Sequence, residues 1–306
     1  MAALFCRAGP VLIAMPDRRR AQRANFFALG AIALWSSLAT LGVALGHVPP
    51  FLLTGLSLLI GSLIALPLSG FQLSCWRVPL STLALGIYGL FGYHLLLFLA
   101  LRHAPPVSAN LVNYLWPLLM VVLAPVLLPG LKLRAVHLLA ALLGFAGAAV
   151  VILAGPAAAT VADPASAPVW SWGYLPALGA ALIWSSYSLL TQRVAPFPTA
   201  AIGGFALVSG LLSLLCHALI EPAVTLSGLD WMLIVIIGLG PMGAAFFLWD
   251  QALKLGDARH IGILSYLTPL MSTALLMTVS SKPITWPVAL ATLMIVGAAV
   301  LGTRSR

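Results

Sequence analysis

Long apolar runs, separated by short polar or proline- and glycine-containing stretches, dominate this chain of 306 residues. A helix needs roughly 20 apolar residues to cross the hydrocarbon core of a bilayer. The runs do not alternate between apolar and polar residues, so helices are favoured over a β-barrel. The pattern predicts ten membrane-spanning helices, at residues 25–46, 51–70, 79–101, 106–128, 135–154, 170–191, 198–220, 229–251, 258–279 and 285–302.

The composition agrees with an all-α, multi-pass membrane protein. Hydrophobic residues make up 62% of the chain and charged residues 7%, whereas a soluble domain carries about 25% charged residues. The sequence lacks the GxxxxGK[ST], GxSxG, HExxH and CxxC motifs, so we expect no ATP hydrolysis, cofactor, metal site or catalytic residue. An intramembrane enzyme is a remote alternative, because it would need a nucleophile–base pair or a metal centre.

The basic residues are distributed unevenly over the predicted loops. With the N-terminus inside, 13 of the 15 arginines and lysines lie on the cytoplasmic side, and only Arg102 and Lys282 lie outside. The positive-inside rule therefore predicts that both termini are cytoplasmic. The net charge of +9 is explained by orientation, without a nucleic-acid partner. Residues 1–14 do not form a signal peptide, because basic residues follow their apolar run, and Met15 is an alternative start.

An internal repeat links the two halves of the chain. Residues 100–118 (ALRHAPPVSANLVNYLWPL) and 252–270 (ALKLGDARHIGILSYLTPL) align without a gap at an offset of 152. The motif Trp35-Ser36-Ser37 recurs as Trp184-Ser185-Ser186. Five spans in each half would give an inverted repeat. The predicted organisation is an N-terminal cytoplasmic segment (1–24), a first five-helix repeat (25–154), an external linker (155–169), a second repeat (170–303) and a cytoplasmic C-terminus (304–306).

The fifth and tenth predicted spans are rich in glycine and alanine, which lets helix backbones approach closely in lipid. The tetrapeptide Gly-Ala-Ala-Val occurs in both, beginning at Gly147 and at Gly297. Two interpretations are open for these faces. They form either an internal helix–helix contact or the contact of a homodimer.

A proline lies near the middle of the fourth and of the ninth predicted span. Proline within a helix removes the hydrogen bond to the carbonyl four residues back, so Pro117 would free the carbonyl of Asn113 and Pro269 that of Ser265. Unpaired backbone groups in a membrane are tolerated where they face protein or water. We therefore expect both prolines to face a central substrate cavity, although a kink that serves packing alone is the simpler alternative.

Aromatic and small polar residues in neighbouring spans complete the predicted cavity. An aromatic wall with a few placed polar groups suits an organic solute with an apolar body. Tryptophan and tyrosine also form interfacial belts, and His94 could equally be a neutral, hydrogen-bonded core residue. The predicted substrate-binding residues are Trp35, Ser36, His94, Asn113, Tyr114, Trp116, Pro117, Trp184, Ser185, Tyr187, Ser265, Tyr266 and Pro269. The predicted gating residues are Tyr93, Trp249 and Gly240.

These features resemble the drug/metabolite transporter superfamily, and in particular its EamA-type branch. The segment from Asn113 to Pro117 (NYLWP), with its counterpart from Ser265 to Pro269 (SYLTP), is similar to the YddG-like group of bacterial aromatic amino-acid exporters. The resemblance implies export of aromatic and other apolar amino acids, or of related metabolites, by alternating access. An exporter of drug-like organic cations is the alternative, and it would favour carboxylates in the cavity, where none is found.

Overall fold

The structure, a computed structural model, describes residues 17–154, 171–279 and 286–303. Within these ranges all regular elements are helices, as predicted. The predicted linker, residues 1–16 of the predicted N-terminal segment and the predicted C-terminus (304–306) lie outside the described residues. The helices of the first half are α1 (Asp17–Ser36), α2 (Leu38–Ala44), α3 (Pro50–Ser62), α4 (Ala65–Leu68), α5 (Leu80–Ile87), α6 (Tyr93–His103), α7 (Pro106–Asn113), α8 (Trp116–Leu127) and α9 (Ala135–Ala154).

The second half follows the same pattern of long and interrupted helices. Its helices are α10 (Tyr174–Leu190), α11 (Ala201–Ile220), α12 (Gly228–Leu239), α13 (Ala245–Leu255), α14 (Ala258–Leu264), α15 (Leu267–Val279) and α16 (Trp286–Thr303). A short 3₁₀ turn, Leu73–Trp76, precedes α5. Two π-helical segments, Tyr88–Gly92 and Gly240–Ala244, join α5 to α6 and α12 to α13.

Within the described residues, seven helical stretches are long and apolar enough to cross a membrane. They are Arg18–Gly42, Pro50–Leu68, Leu80–His103, Pro106–Leu127, Ala135–Leu153, Ala201–Ile220 and Gly228–Leu255. Two apolar helices are shorter, Tyr174–Leu190 and Trp286–Gly302. The chain is therefore a multi-pass membrane protein, and α14 with α15 occupies the predicted ninth span.

The first helix begins at Asp17, eight residues before the predicted start at residue 25. Arginine, glutamine and alanine are good helix formers, so α1 extends through the basic segment although that segment is not apolar. Arg20 holds this part of α1 against the end of α13, since its guanidinium donates hydrogen bonds to the carbonyls of Lys254 (3.2 Å) and Leu255 (3.1 Å).

The two central prolines lie at the starts of new helices, which corrects the expectation that they interrupt continuous ones. α7 ends at Asn113 and α8 begins at Trp116, so Pro117 is in the first turn of α8, a position that proline favours. Pro269 is likewise in the first turn of α15. The Ser265 carbonyl is not freed, because the Thr268 N–H donates to it at 3.0 Å.

The π-helical segments mark the same point in the two halves, since Tyr88 and Gly240 are separated by 152 residues. Each segment contains glycines, and the second also contains Pro241. A π-helical turn widens the helix by one residue and is common at functional sites. Gly240, which opens the second segment, was a predicted gating residue, whereas the π-helical segment in the third span was not predicted.

The chain divides into two compact units, each built from both halves of the sequence. The first unit comprises Met1–Gly92 and Leu190–Gly256. Here α3 packs against α11 through two facing glycines: a Cβ on Gly55 would lie 3.1 Å from the Gly210 carbonyl, and one on Gly210 3.0 Å from the Gly55 carbonyl. Small residues thus allow the close backbone approach that membrane helices use.

The second unit comprises Tyr93–Leu189 and Asp257–Arg306. Its core includes the contact of α9 with α16, where a Cβ added to Gly147 would lie 2.8 Å from the Ile295 side chain. Gly147 therefore serves an internal helix–helix contact, the first of the two interpretations offered for this face. A homodimer stays a prediction.

Candidate substrate-binding site

Six predicted residues of the second unit form a group that contains one amide side chain and five aromatic rings. Asn113, the last residue of α7, donates a hydrogen bond from Nδ2 to the Tyr93 hydroxyl oxygen at 3.1 Å. Its Oδ1 atom is buried and has no hydrogen-bond partner in the described residues. A buried acceptor without a partner is costly, so this oxygen is a candidate position for a ligand. We name this group the amide–aromatic cluster: Tyr93, His94, Asn113, Trp116, Trp184 and Tyr187.

The aromatic rings of the cluster contact one another around Trp184 of α10. The Trp184 ring lies 5.4 Å from that of Tyr93, 6.5 Å from that of Trp116 and 5.4 Å from that of Tyr187, measured between centroids. These separations are typical of favourable aromatic pairs. Trp116, Trp184 and Tyr187 are all buried, which is unlike an interfacial belt.

Tyr93 begins α6 directly after the first π-helical segment. It was predicted to act in gating, but the structure joins it to two predicted substrate-binding residues, Asn113 and Trp184. His94 is buried, its ring stands 5.0 Å from the Tyr93 ring in an edge-to-face arrangement, and Phe98 lies 6.0 Å away. Sequence reasoning did not single out Phe98, although its spacing of one helical turn from His94 places both on one face.

The serine hydroxyls of the predicted site bond to their own helices. Ser185 donates to the Leu182 carbonyl at 3.1 Å, Ser265 to Gly262 at 2.6 Å and, in the first unit, Ser36 to Ile32 at 2.7 Å. Such back-bonding satisfies a hydroxyl within a helix. Their hydrogens are therefore engaged, and each oxygen can still accept.

The remaining predicted residues of the second unit lie in tightly packed surroundings. Tyr266 is fully buried in an apolar cluster with residues of α9 and α16, and a Cβ on Gly144 would meet its ring at 2.4 Å. A Cβ added to Gly262 of α14 would lie 3.3 Å from the Pro117 carbonyl oxygen. Tyr114 is the half-buried residue that follows α7, and Pro269 is buried in α15.

A second aromatic group belongs to the first unit. Trp35 of α1 donates from its indole nitrogen to the Pro241 carbonyl at 3.1 Å, and its ring lies 5.2 Å from Trp249 and 6.2 Å from Phe246. Gly240 opens the π-helical segment that contains Pro241. Trp35 thus joins α1 to the predicted gating residue Trp249 and to the π-helical segment that begins at Gly240. Phe246 was missed, although it lies three residues before Trp249.

The first unit also contains a buried charged network at the end of α13. The Lys254 Nζ lies 2.6 Å from the Asp250 carboxylate, an i, i+4 ion pair within α13. Thr199 donates to the same carboxylate at 2.5 Å, and Gln251 donates to Thr199 at 2.7 Å. No signal in the sequence pointed to Thr199, because the loop before α11 carries no pattern.

In the second unit, Arg259 joins two loops at helix ends. It pairs with the Asp257 carboxylate and donates to the Lys132 carbonyl at 2.8 Å. Burial alone would raise the pKa of Asp257, but the hydrogen bonds and charge of Arg259 hold that pKa below its ordinary value. The ionised carboxylate accepts the Arg259 backbone N–H at 2.8 Å and caps α14.

Comparison with known proteins defines the class. The EamA-like transporter family matches residues 22–153 and again residues 171–304, so the chain belongs to this family of transporters. It is 43% identical over 283 residues to the aromatic amino acid exporter YddG of Ancylobacter novellus, covering 92% of this chain and 96% of that protein. The exporter YddG of Escherichia coli is 26% identical, with 92% and 96% of the two chains covered.

A solved structure shows the same fold. A crystal structure of a protein 42% identical to this chain matches with a TM-score of 0.83, covering 92% of this chain and 97% of the other. Membership of a transporter family and the likeness to exporters favour a transport function over catalysis.

Proposed function

We propose that this protein exports aromatic amino acids, and other apolar ones, across a bacterial inner membrane by alternating access. The observation that carries the proposal is the amide–aromatic cluster, in which a buried amide oxygen without a partner lies among tryptophan and tyrosine rings. Aromatic walls bind the substrate ring and the amide orients its polar end. The relative named as an aromatic amino acid exporter, 43% identical over 92% of this chain, supports the same substrate class.

We infer that the protein has ten spans arranged as a five-plus-five inverted repeat. The two family matches, at residues 22–153 and 171–304, support a duplication. The π-helical segments recur at an offset of 152, and the interruptions after Asn113 and Leu264 fall at nearly the same offset. An odd number of spans per copy inverts the second copy, which places substrate sites near the middle of the membrane.

We further propose that both termini are cytoplasmic. Contacts in the first unit agree with the predicted sides, because they group residues assigned to the same side, and the positive-inside rule makes the more basic side cytoplasmic. On the predicted outer side, Glu221 accepts the backbone N–H groups of Phe51 (3.0 Å) and Leu52 (3.1 Å), and His47 lies 3.2 Å from Asp230. On the predicted inner side, Gln192 donates to the Leu253 carbonyl at 2.9 Å.

Reporter fusions test this orientation. Alkaline phosphatase, which is active only outside the cytoplasm, is fused after Val224, and green fluorescent protein after Arg306. We expect phosphatase activity from the first fusion and fluorescence from the second, because positive loops stay inside. Moving the phosphatase to Val194 provides the matched control and should abolish its activity. Activity at Val194 without activity at Val224 would show the opposite orientation.

Reconstituted transport tests the function itself. The purified protein in liposomes should exchange labelled phenylalanine and tryptophan saturably. Asn113→Ala and Trp184→Ala should each lower kcat/KM by about tenfold, the loss expected for one buried polar or aromatic contact. Uptake is measured by rapid filtration with and without a pH gradient, which separates proton-coupled from facilitated transport.

Trp231→Ala is the matched control for the tryptophan variant. Trp231 of α12 is exposed, as in an interfacial belt, so its removal should leave phenylalanine uptake unchanged. The thermal midpoints of all variants are compared in detergent, so that lost flux is distinguished from lost structure. If Trp184→Ala and Asn113→Ala transported at the rate of the unmodified protein, the site would lie elsewhere.

A further inference from the structure

We propose that the amide–aromatic cluster recognises the ammonium group of its substrate and not the carboxylate, so that aromatic amines without a carboxylate are also substrates. The inference deepens the proposed function and rests on it, since it takes the cluster as the place where the substrate is held. It extends the substrate class from amino acids to primary amines that bear an aromatic ring.

The polar atom offered by Asn113 is an acceptor. Its Nδ2 group is engaged with the Tyr93 hydroxyl at 3.1 Å, whereas Oδ1 is buried without a partner. An ammonium group has hydrogens to donate to this oxygen, and a carboxylate has none. Rotating the amide by half a turn would leave Nδ2 unpaired and favour a carboxylate instead, so the two orientations predict opposite substrate preferences.

The rings around the amide have the same preference. The face of an aromatic ring carries partial negative charge, so it attracts a cation and repels an anion. Trp184 contacts the rings of Tyr93, Trp116 and Tyr187, so the tyrosine that pairs with Asn113 belongs to a continuous aromatic group. A desolvated ammonium is stabilised there without a carboxylate partner.

The serine next to Trp184 in the chain adds an acceptor rather than a donor. The hydrogen of the Ser185 hydroxyl is committed to the Leu182 carbonyl of its own helix, which leaves only oxygen lone pairs. His94 is the one titratable base of the cluster. In the described part of the second unit, arginine and lysine occur only near helix ends or in loops, at Arg102, Lys132, Arg134 and Arg259.

The test uses competition against labelled phenylalanine in liposomes containing the full-length protein. Phenethylamine keeps the ring and the ammonium, and hydrocinnamate keeps the ring and the carboxylate. We expect phenethylamine to inhibit within about tenfold of the concentration that unlabelled phenylalanine requires. Hydrocinnamate should need at least about a hundredfold more, as expected for the loss of a charge-assisted hydrogen bond.

Variants of one helix separate recognition from folding. Asn113→Leu should weaken inhibition by phenethylamine about tenfold or more and reduce its advantage over hydrocinnamate. Asn110→Leu, three residues earlier in α7, is the matched control and should keep the preference. His94→Gln removes the titratable base of the cluster while the Asn113 oxygen remains, so it tests whether His94 sets the preference.

The outcomes are distinguishable from those of the proposed function. Phenylalanine transport with inhibition by hydrocinnamate equal to or stronger than that by phenethylamine would overturn the inference and leave amino-acid export intact. The unmodified protein could instead prefer hydrocinnamate, and His94→Gln could lose that preference. This result would assign carboxylate recognition to His94 and would also overturn the inference. Absence of any phenylalanine exchange would overturn the proposed function together with the inference.

Discussion

Gly243→Ala is expected to prevent the protein from reaching its native fold. A Cβ at this position would lie 2.2 Å from the Gly238 carbonyl oxygen and 2.9 Å from the Gly61 Cα. Both are backbone atoms, so no side-chain rotation relieves the clash, and α3 would have to separate from the second π-helical segment. Overpacking of a core costs about 1–3 kcal/mol where side chains can adjust, and we expect the upper end of this range or more here.

Gly240→Ala is the matched control within the same π-helical segment. The nearest atom to its added Cβ is a Leu34 methyl carbon at 3.7 Å, an ordinary van der Waals distance, whereas its backbone angles (φ −92°, ψ −101°) lie outside the α and β regions that alanine favours. This variant should therefore lose about 1–2 kcal/mol through backbone strain alone, less than the backbone clash at Gly243 costs. Size-exclusion profiles and thermal midpoints of fluorescent fusions in detergent compare the two. Equal behaviour would mean that the π-helical segment is not held closely against α3.

The contrast between these glycines also bears on gating. Gly240 was predicted to act in gating, and because Gly240→Ala is expected to fold, its transport rate reports that role directly. Gly243 lies three residues away and received no role from the sequence, although its packing is the tighter of the two. A sequence shows that glycines are clustered, but the backbone that each one faces is a property of the folded chain.

The helices could be predicted because membrane spans need long apolar runs. The fifth predicted span, 135–154, agrees with α9 at both ends. The start of α1 could not be predicted in this way, since hydropathy reports burial in lipid and not helix formation by arginine-rich residues. The location of the central breaks was predicted from the two prolines, whereas the actual arrangement, in which helices end and restart, depends on turns that proline alone does not specify.

The candidate site was predicted in its members but not in its contacts. Asn113 and Trp184 were named from their type and depth, yet the hydrogen bond from Asn113 to Tyr93 joins residues that are 20 positions apart in the chain. A single sequence carries no signal for which faces of two helices meet. Tyr114 and Tyr266 illustrate this limit, because they are equivalent in the repeat while one is half-buried and the other is fully buried in an apolar cluster.

Asp250→Leu is expected to destabilise the first unit by about 3 kcal/mol, the lower end of the cost of breaking a buried ion pair. Asp250 is 4% exposed and its carboxylate accepts from Lys254 and Thr199. Without it, the Lys254 ammonium keeps only neutral partners, which are the Phe197 carbonyl at 2.9 Å, the Thr199 hydroxyl at 3.1 Å and the Phe197 ring at 4.1 Å. The lower end applies because the Lys254 side chain is 25% exposed and can shift toward solvent.

The double variant Asp250→Leu/Lys254→Met separates the charge from the contact. Removing both charges leaves no uncompensated ion, so the double variant should be more stable than Asp250→Leu, as is common when apolar residues replace buried pairs. Thermal midpoints of the two single variants and the double variant complete a mutant cycle. Hydrogen exchange of residues 190–200 gives a local readout, because Thr199 and Phe197 lie in that loop and should exchange faster only when Lys254 is left unpaired. Strictly additive losses would show that the ion pair does not hold the loop against α13.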